Sequence, residues 1–288
     1  MIKFIIAARR KREDTQERYF YEWGIIHVAL MVTTPSVMQT FRRYVQHYSI
    51  PGIEDDRLLH PLSPMAWDNM ADHWLDGLEQ MVTAVRAGDY VARMQPHVFG
   101  DKEFVLQLME GEVLHEAAGF QSGGVKLIHF LKRDPRLTRA EFNARWRGSH
   151  APALLAATVG PARLRRYVQN RALEFERSFF RGSIFEHGEV NGYDGVEEFW
   201  FDTVDDLSKL RHDPAILGAV RDSEAGLVDA GCSFSMVTTE RVIYDYTRGA
   251  DSSPQPAILN PESLEAAIFR QGLSGWNLPP AAGGKHVS

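Results

Sequence analysis

The sequence predicts an α+β protein built from two similar units, and three observations predict it. The chain matches itself over a long ungapped stretch, each half reads β-α-β-β-α-β, and the composition supplies enough apolar residues for two cores. Of 288 residues, 44% are hydrophobic and 24% charged, the balance of an ordinary soluble globular protein.

The internal match is the firmest of the three. Displaced by 123 residues, Lys3 falls on Lys126, Ile5 on Ile128, Trp23 on Trp146 and His27 on His150. In the same register Arg42-Arg43-Tyr44-Val45-Gln46 falls on Arg165-Arg166-Tyr167-Val168-Gln169. Beyond that the register slips by three residues, so that Trp74-Leu75-Asp76 meets Trp200-Phe201-Asp202, and it slips by three again near the ends. The reading is a duplication with a first domain over residues 1–118, a joint near Gly119 to Gly124, a second domain over 125–247 and a C-terminal arm over 248–288.

Each unit opens with a β-favouring run, residues 2–8 and 125–131. In the second, Arg133-Asp134-Pro135-Arg136 reads as a turn, and Thr138 three residues before Glu141 is a capping-box signature for a helix. Phe142, Trp146 and His150 then recur at steps of four along one helix face, and Tyr19, Trp23 and His27 repeat this in the first half. Pro152 predicts a bend or restart just after His150. Strands over 164–169 and 196–201 follow, then helix from 205 through Asp213-Pro214 to about 228, and a last strand over 233–239. This order is the ferredoxin-like unit. Two such units predict two four-stranded sheets packed face to face with helices outside. The arm is rich in proline, and only 261–269 reads as a short helix.

The second half carries Val125-Lys126-Leu127-Ile128-His129-Phe130 followed by Phe142-x-x-x-Trp146-x-x-x-His150-Ala151-Pro152. In this pattern it resembles the EthD family of the dimeric α+β barrel superfamily. The first half keeps Trp23 and His27 but lacks the Ala-Pro step. The resemblance implies tandem ferredoxin-like domains forming an intramolecular dimeric α+β barrel, a pseudo-dimer within one chain that still leaves a homodimer open. It further implies a cofactor-independent enzyme for a small aromatic or cyclic substrate. A histidine ending the first helix and a tyrosine on the second strand line the pocket of similar isomerases, positions that match His150 and Tyr167, and also His27 and Tyr44. A cysteine position there falls on His73 and Phe199.

The residues themselves support this chemistry. Histidine titrates near neutrality and can relay a proton, and a buried phenol can donate to a developing oxyanion. The catalytic candidates are therefore His150, Tyr167, His129, His27, Tyr44 and His73, with Trp146, Trp23, Phe199 and Phe142 as pocket walls. His129 lies mid-strand in an apolar run, where a polar group needs a partner or a task. His73 and His129 are each unique to one half. The sequence does not choose between the two halves, and the better match of the second to the family pattern tilts the reading slightly toward it.

Other classes are set aside. A net charge of −6 carries no nucleic-acid footprint. The single cysteine, Cys232, excludes an internal disulfide and a Cys-rich zinc site and fits a reducing compartment. The N-terminal apolar run precedes its positive charges, the reverse of a signal peptide, and no run is long enough to span a bilayer, so the expected location is cytoplasmic. None of the 11 histidines sits in a His-Glu-x-x-His spacing, and the reading is free of metal and cofactor. Three functions remain: a lyase or isomerase, a cofactor-free monooxygenase on a phenol, separable by oxygen consumption, and a non-catalytic binding protein for aromatic metabolites.

Overall fold

The computed structural model describes residues 1–53, 60, 67–160, 163–190 and 192–247. The expected arm over 248–288, with its helix over 261–269, lies outside them. β1 (Ile2–Arg10) opens the chain. Thr15 caps α1 (Gln16–Tyr21), which runs through a π turn (Glu22–His27) into α2 (Val28–Val32). α3 (Pro35–Thr40), β2 (Phe41–Ser49) and β3 (Asn69–Leu75) follow. α4 (Leu78–Arg86), α5 (Gly88–Met94) and the 17-residue β4 (Gly100–Glu116) end the N-terminal part.

The C-terminal part begins with β5 (Val125–Leu131). Thr138 and Glu141 close the expected capping box ahead of α6 (Arg139–Arg145), and a π turn (Trp146–His150) leads into α7 (Ala151–Thr158) with Pro152 in its first turn. Then come β6 (Arg166–Ala172), the two-residue β7 (Glu189–Val190) and β8 (Gly195–Phe201). The single helix expected from 205 onward is two, α8 (Val204–His212) and α9 (Pro214–Glu224). Asp213 leaves helical geometry to cap α9, and Pro214, which has no N–H to give, serves as a first helical residue but not as an interior one. β9 (Phe234–Asp245) closes the chain.

The sheet arrangement corrects the expectation of tandem ferredoxin-like domains with two separate four-stranded sheets. Eight strands form one closed antiparallel barrel in the order β1-β3-β2-β9-β5-β8-β6-β4, with β4 returning to β1. The cause is strand length. β4 pairs with β1 over Gly100 to Met109 and then with β6 over Met109 to Glu116. β9 pairs with β5 over Phe234 to Thr239 and with β2 over Thr238 to Asp245. Strands of this reach hydrogen-bond into both parts, and closure satisfies edges that two open sheets would expose.

Side chains alternate across the barrel wall. One face packs inward as a cluster drawn from both parts, including Ile5, Met70, Met109, Ile128, Phe130, Val196 and Met236. The same face carries buried ions: Lys3 Nζ lies 2.6 Å from Glu198 and 3.0 Å from Asp72, and Lys126 Nζ lies 2.7 Å from His47 and 3.4 Å from Glu240. The other face meets the helices in three separate apolar clusters, the smallest of them Leu131, Phe142, Trp146 and Leu227. The candidate residues lie on that outer face, between sheet and helix.

Candidate active site

Equal sheet registers put equivalent positions of the two parts in view. Ala71 sits between Ile6 and Gln46, and Glu197 sits between His129 and Gln169. Tyr44 faces His73 across the ladder as Tyr167 faces Phe199. In both parts a glutamine braces the constellation. Gln46 Nε2 donates to the Trp23 carbonyl at 3.1 Å and to the Tyr44 hydroxyl at 2.8 Å. Gln169 Nε2 does the same to Trp146 and Tyr167 at 3.2 and 2.8 Å.

In the C-terminal part Glu197 fills the centre. Its Oε1 accepts from Trp146 Nε1 at 2.7 Å, from His150 Nε2 at 3.0 Å and from the Tyr167 hydroxyl. Ser223 gives its one proton to the Val220 carbonyl and accepts from His150 Nδ1 at 2.8 Å. With the Ser223 proton on that carbonyl, both ring nitrogens of His150 are placed to donate, an arrangement that favours the imidazolium form. Burial works against that charge, but the Glu197 carboxylate overrides it and raises the His150 pKa. Burial likewise opposes the Glu197 charge, yet His150 and His129 hold that carboxyl well below its usual range. Burial pushes the Tyr167 phenol well up. The space is packed tightly enough that a Cβ on Gly195 would stand 2.6 Å from the Trp146 ring. Phe142 stacks on Trp146 at 5.3 Å and Phe199 on Tyr167 at 4.9 Å, so both serve as packing.

In the N-terminal part the carboxylate is replaced by Ala71, and the space stays open. A cavity of about 550 Å³ is lined by Ile6, Ala71, Trp23, Phe41, Phe99 and Phe104, with His27, His73 and His97 among its walls. Burial lowers the His27 pKa to about 3, with His97 and His73 adding to the effect. Burial lowers His73 to about 4. Both imidazoles are neutral near pH 7, and Nδ1 of each is buried without a hydrogen-bond partner among the described residues. Tyr44 stacks on His73 at 4.6 Å and 13°, backing it from outside the cavity lining. Ile184, Phe185 and His187, from the loop before β7, also line this cavity.

The apolar cavity thus lies in the part that the sequence pattern favoured less, while a more polar cavity of about 610 Å³, lined by Glu112, Asn143, Trp146, Arg147, Gln169 and Arg171, opens beside the C-terminal constellation. His27, His73 and Trp23 meet around it, Tyr44 stands behind His73, and His150, Tyr167, Trp146 and His129 gather around Glu197. Sequence reasoning missed Glu197, Ser223, Glu224, His60, His97 and Ala71. The contrast of Ala71 with Glu197 was available, since those two residues fall together at the 126-residue offset of Trp74 and Trp200.

Residues 134–231 match the EthD domain model. The chain is 23% identical over 241 residues to chalcone isomerase cfoK of Aspergillus candidus, covering 81% of this chain and 92% of that protein. A solved structure of an anthrone oxidase-like protein superposes with a TM-score of 0.50 at 11% identity, covering 86% of this chain and 95% of that one. The chain therefore carries an EthD domain match in its C-terminal part and shares its fold with the anthrone oxidase-like protein.

Proposed function

We propose that this protein is an isomerase acting by proton transfer on a hydroxylated aromatic enone of the chalcone type, bound in the N-terminal cavity. The observation that carries the reading is a pair of neutral imidazoles, His27 and His73, each with a buried Nδ1 that has no hydrogen-bond partner among the described residues, on a mainly aromatic and aliphatic wall that also holds Asn69, His97, Asp101, Lys102 and His187. Such a wall suits a flat aryl ketone, and a few convergent polar groups suffice to orient it. The similarity to a protein named as a chalcone isomerase favours isomerisation over the lyase and monooxygenase alternatives.

The reaction would balance within the substrate. A phenolic O–H bond breaks, a bond forms from that oxygen to the enone β-carbon, and the C=C electron pair moves to the α-carbon, which takes a proton. His27 would accept the phenolic proton and return one to carbon. His73, held by Tyr44, would donate to the carbonyl oxygen as it gains charge. An imidazole with a pKa of about 3 is a weak base in the empty cavity. A phenolate formed beside it is the counter-charge that raises its basicity, because a buried ion pair favours both charged forms together.

The assay is loss of enone absorbance with 2′-hydroxychalcones. His27→Ala and His73→Ala should each lower kcat/KM by about 10²- to 10⁴-fold. Undiminished turnover in both single variants and the double variant would sink the reading, as would tight binding without conversion by the unaltered protein.

A further inference from the structure

A second cluster lies beside the packed C-terminal constellation. His60, His129 and Glu224 are all buried, and each offers a ligand atom within 4.8 Å of the others. They come from three different pieces of chain: the loop between β2 and β3, the middle of β5 and the end of α9. Ser235 donates to the His60 carbonyl at 2.9 Å and anchors that residue. His60 Nε2 lies 3.2 and 3.3 Å from the two Glu224 oxygens, and the His60 and His129 rings meet edge to face at 5.0 Å.

The hydrogen-bond accounting of this cluster does not close. His129 is 2% exposed, yet neither of its ring nitrogens has a hydrogen-bond partner among the described residues. Its Nδ1 stands 3.5 Å from Glu197 Oε2 without a bonding geometry, and that oxygen also lacks a hydrogen bond. His60 Nδ1 is unpartnered as well. A buried imidazole with two unmade bonds carries a desolvation cost that a ligand would relieve.

We propose that His60, His129 and Glu224 bind a divalent transition-metal ion, with zinc as the simplest occupant. Two imidazole nitrogens and a carboxylate oxygen form a donor set suited to a borderline ion and unsuited to calcium or magnesium. Tetrahedral zinc with ligands about 2.1 Å away needs its donors roughly 3.4 Å apart, so a modest rotamer adjustment closes the set. The adjacent group of His150, Glu197 and Glu224 also lies within ligand range of one another. It is the weaker candidate, because both His150 nitrogens and Glu197 Oε1 already have partners. Among the described residues the N-terminal part shows no counterpart to this site: the position matching His129 is Ile6, an apolar wall of the cavity.

The test is titration of chelator-treated full-length protein with Zn²⁺ and, as a spectroscopic probe, Co²⁺. One ion per chain, a visible Co²⁺ spectrum of low-symmetry nitrogen and oxygen ligation, and a metal-dependent rise in Tm are expected. His60→Ala and Glu224→Gln should each weaken binding at least tenfold. His129→Ile installs the residue found at the matching position and should do the same, with His27→Ala as an unaffected control. Absence of stoichiometric binding by the unaltered protein, or an affinity in His60→Ala and Glu224→Gln equal to that of the unaltered protein, would overturn the proposal. Because His27 and His73 are not among these ligands, failure here leaves the isomerase reading standing, and the reverse holds as well.

Discussion

An imidazole at the end of a buried π turn is charged or neutral according to what faces it from the strand. His150 faces Glu197 and is charged, while His27 faces Ala71 and an open cavity and is neutral. The neutral pair makes the fold sensitive to acid. In the unfolded chain a histidine titrates near 6.5, whereas His27 and His73 in the fold resist protonation down to about 3 and about 4. Below pH 6.5 the unfolded state binds protons that the folded state does not, so stability is full above 6.5 and falls as pH drops toward 4. The expected loss is on the order of a few kcal/mol by pH 4. Urea midpoints measured from pH 7 to 4 check this, and His73→Phe, which copies Phe199, should flatten the slope.

At the level of elements, β3 and β8 share a register but not a chemistry. Glu197→Ala would strand the Trp146 indole, the Tyr167 hydroxyl and a buried imidazolium, and should cost about 3–5 kcal/mol in chemical denaturation. Ala71→Glu would set a carboxylate among Trp23, His27 and His73. Ligand binding in the cavity should fall at least tenfold, and the His27 pKa, followed by NMR, should rise. Unchanged binding in that variant would show that the cavity is not where ligands sit. The first helix of each part and the Trp-x-x-x-His spacing were legible because helical spacing is local, whereas the π turns were not. Glu197 was not, since an acidic pair such as Glu197-Glu198 in a strand shows neither which member points toward the helices nor that three donors wait there. His60 was beyond reach for a related reason: its partners lie 69 residues or more away in sequence.

For the whole molecule, the order of elements was readable and the closure was not. The last strand was expected to stop at residue 239, but it continues through Asp245 and there joins β2. The residues past 239, Glu240-Arg241-Val242-Ile243-Tyr244-Asp245, show no period-2 alternation and so disguise a strand in which Glu240 pairs with His47 inside the barrel, Arg241 donates to the Gly24 carbonyl on the helix side and Asp245 pairs with Arg43. Because β4 and β9 each complete a ladder of the other part, the chain should unfold as one unit. A fragment of residues 1–118 should lack the partners of Met109 to Glu116 and of β2, and 125–247 should lack the reciprocal ones. Neither alone should show a cooperative thermal transition, whereas the two mixed should recover one. A monomeric, cooperatively folding 1–118 fragment would contradict this account.

The closed ladder also bears on how the protein fails. A native barrel of this kind presents no long run of free backbone amides and carbonyls onto which a neighbouring chain could add a strand. Self-association by strand addition must then start from molecules in which β2 has parted from β9 or β4 from β6. The tendency to aggregate should therefore follow the population of opened molecules, rising with mild denaturant or acid, and depend little on the concentration of intact barrels.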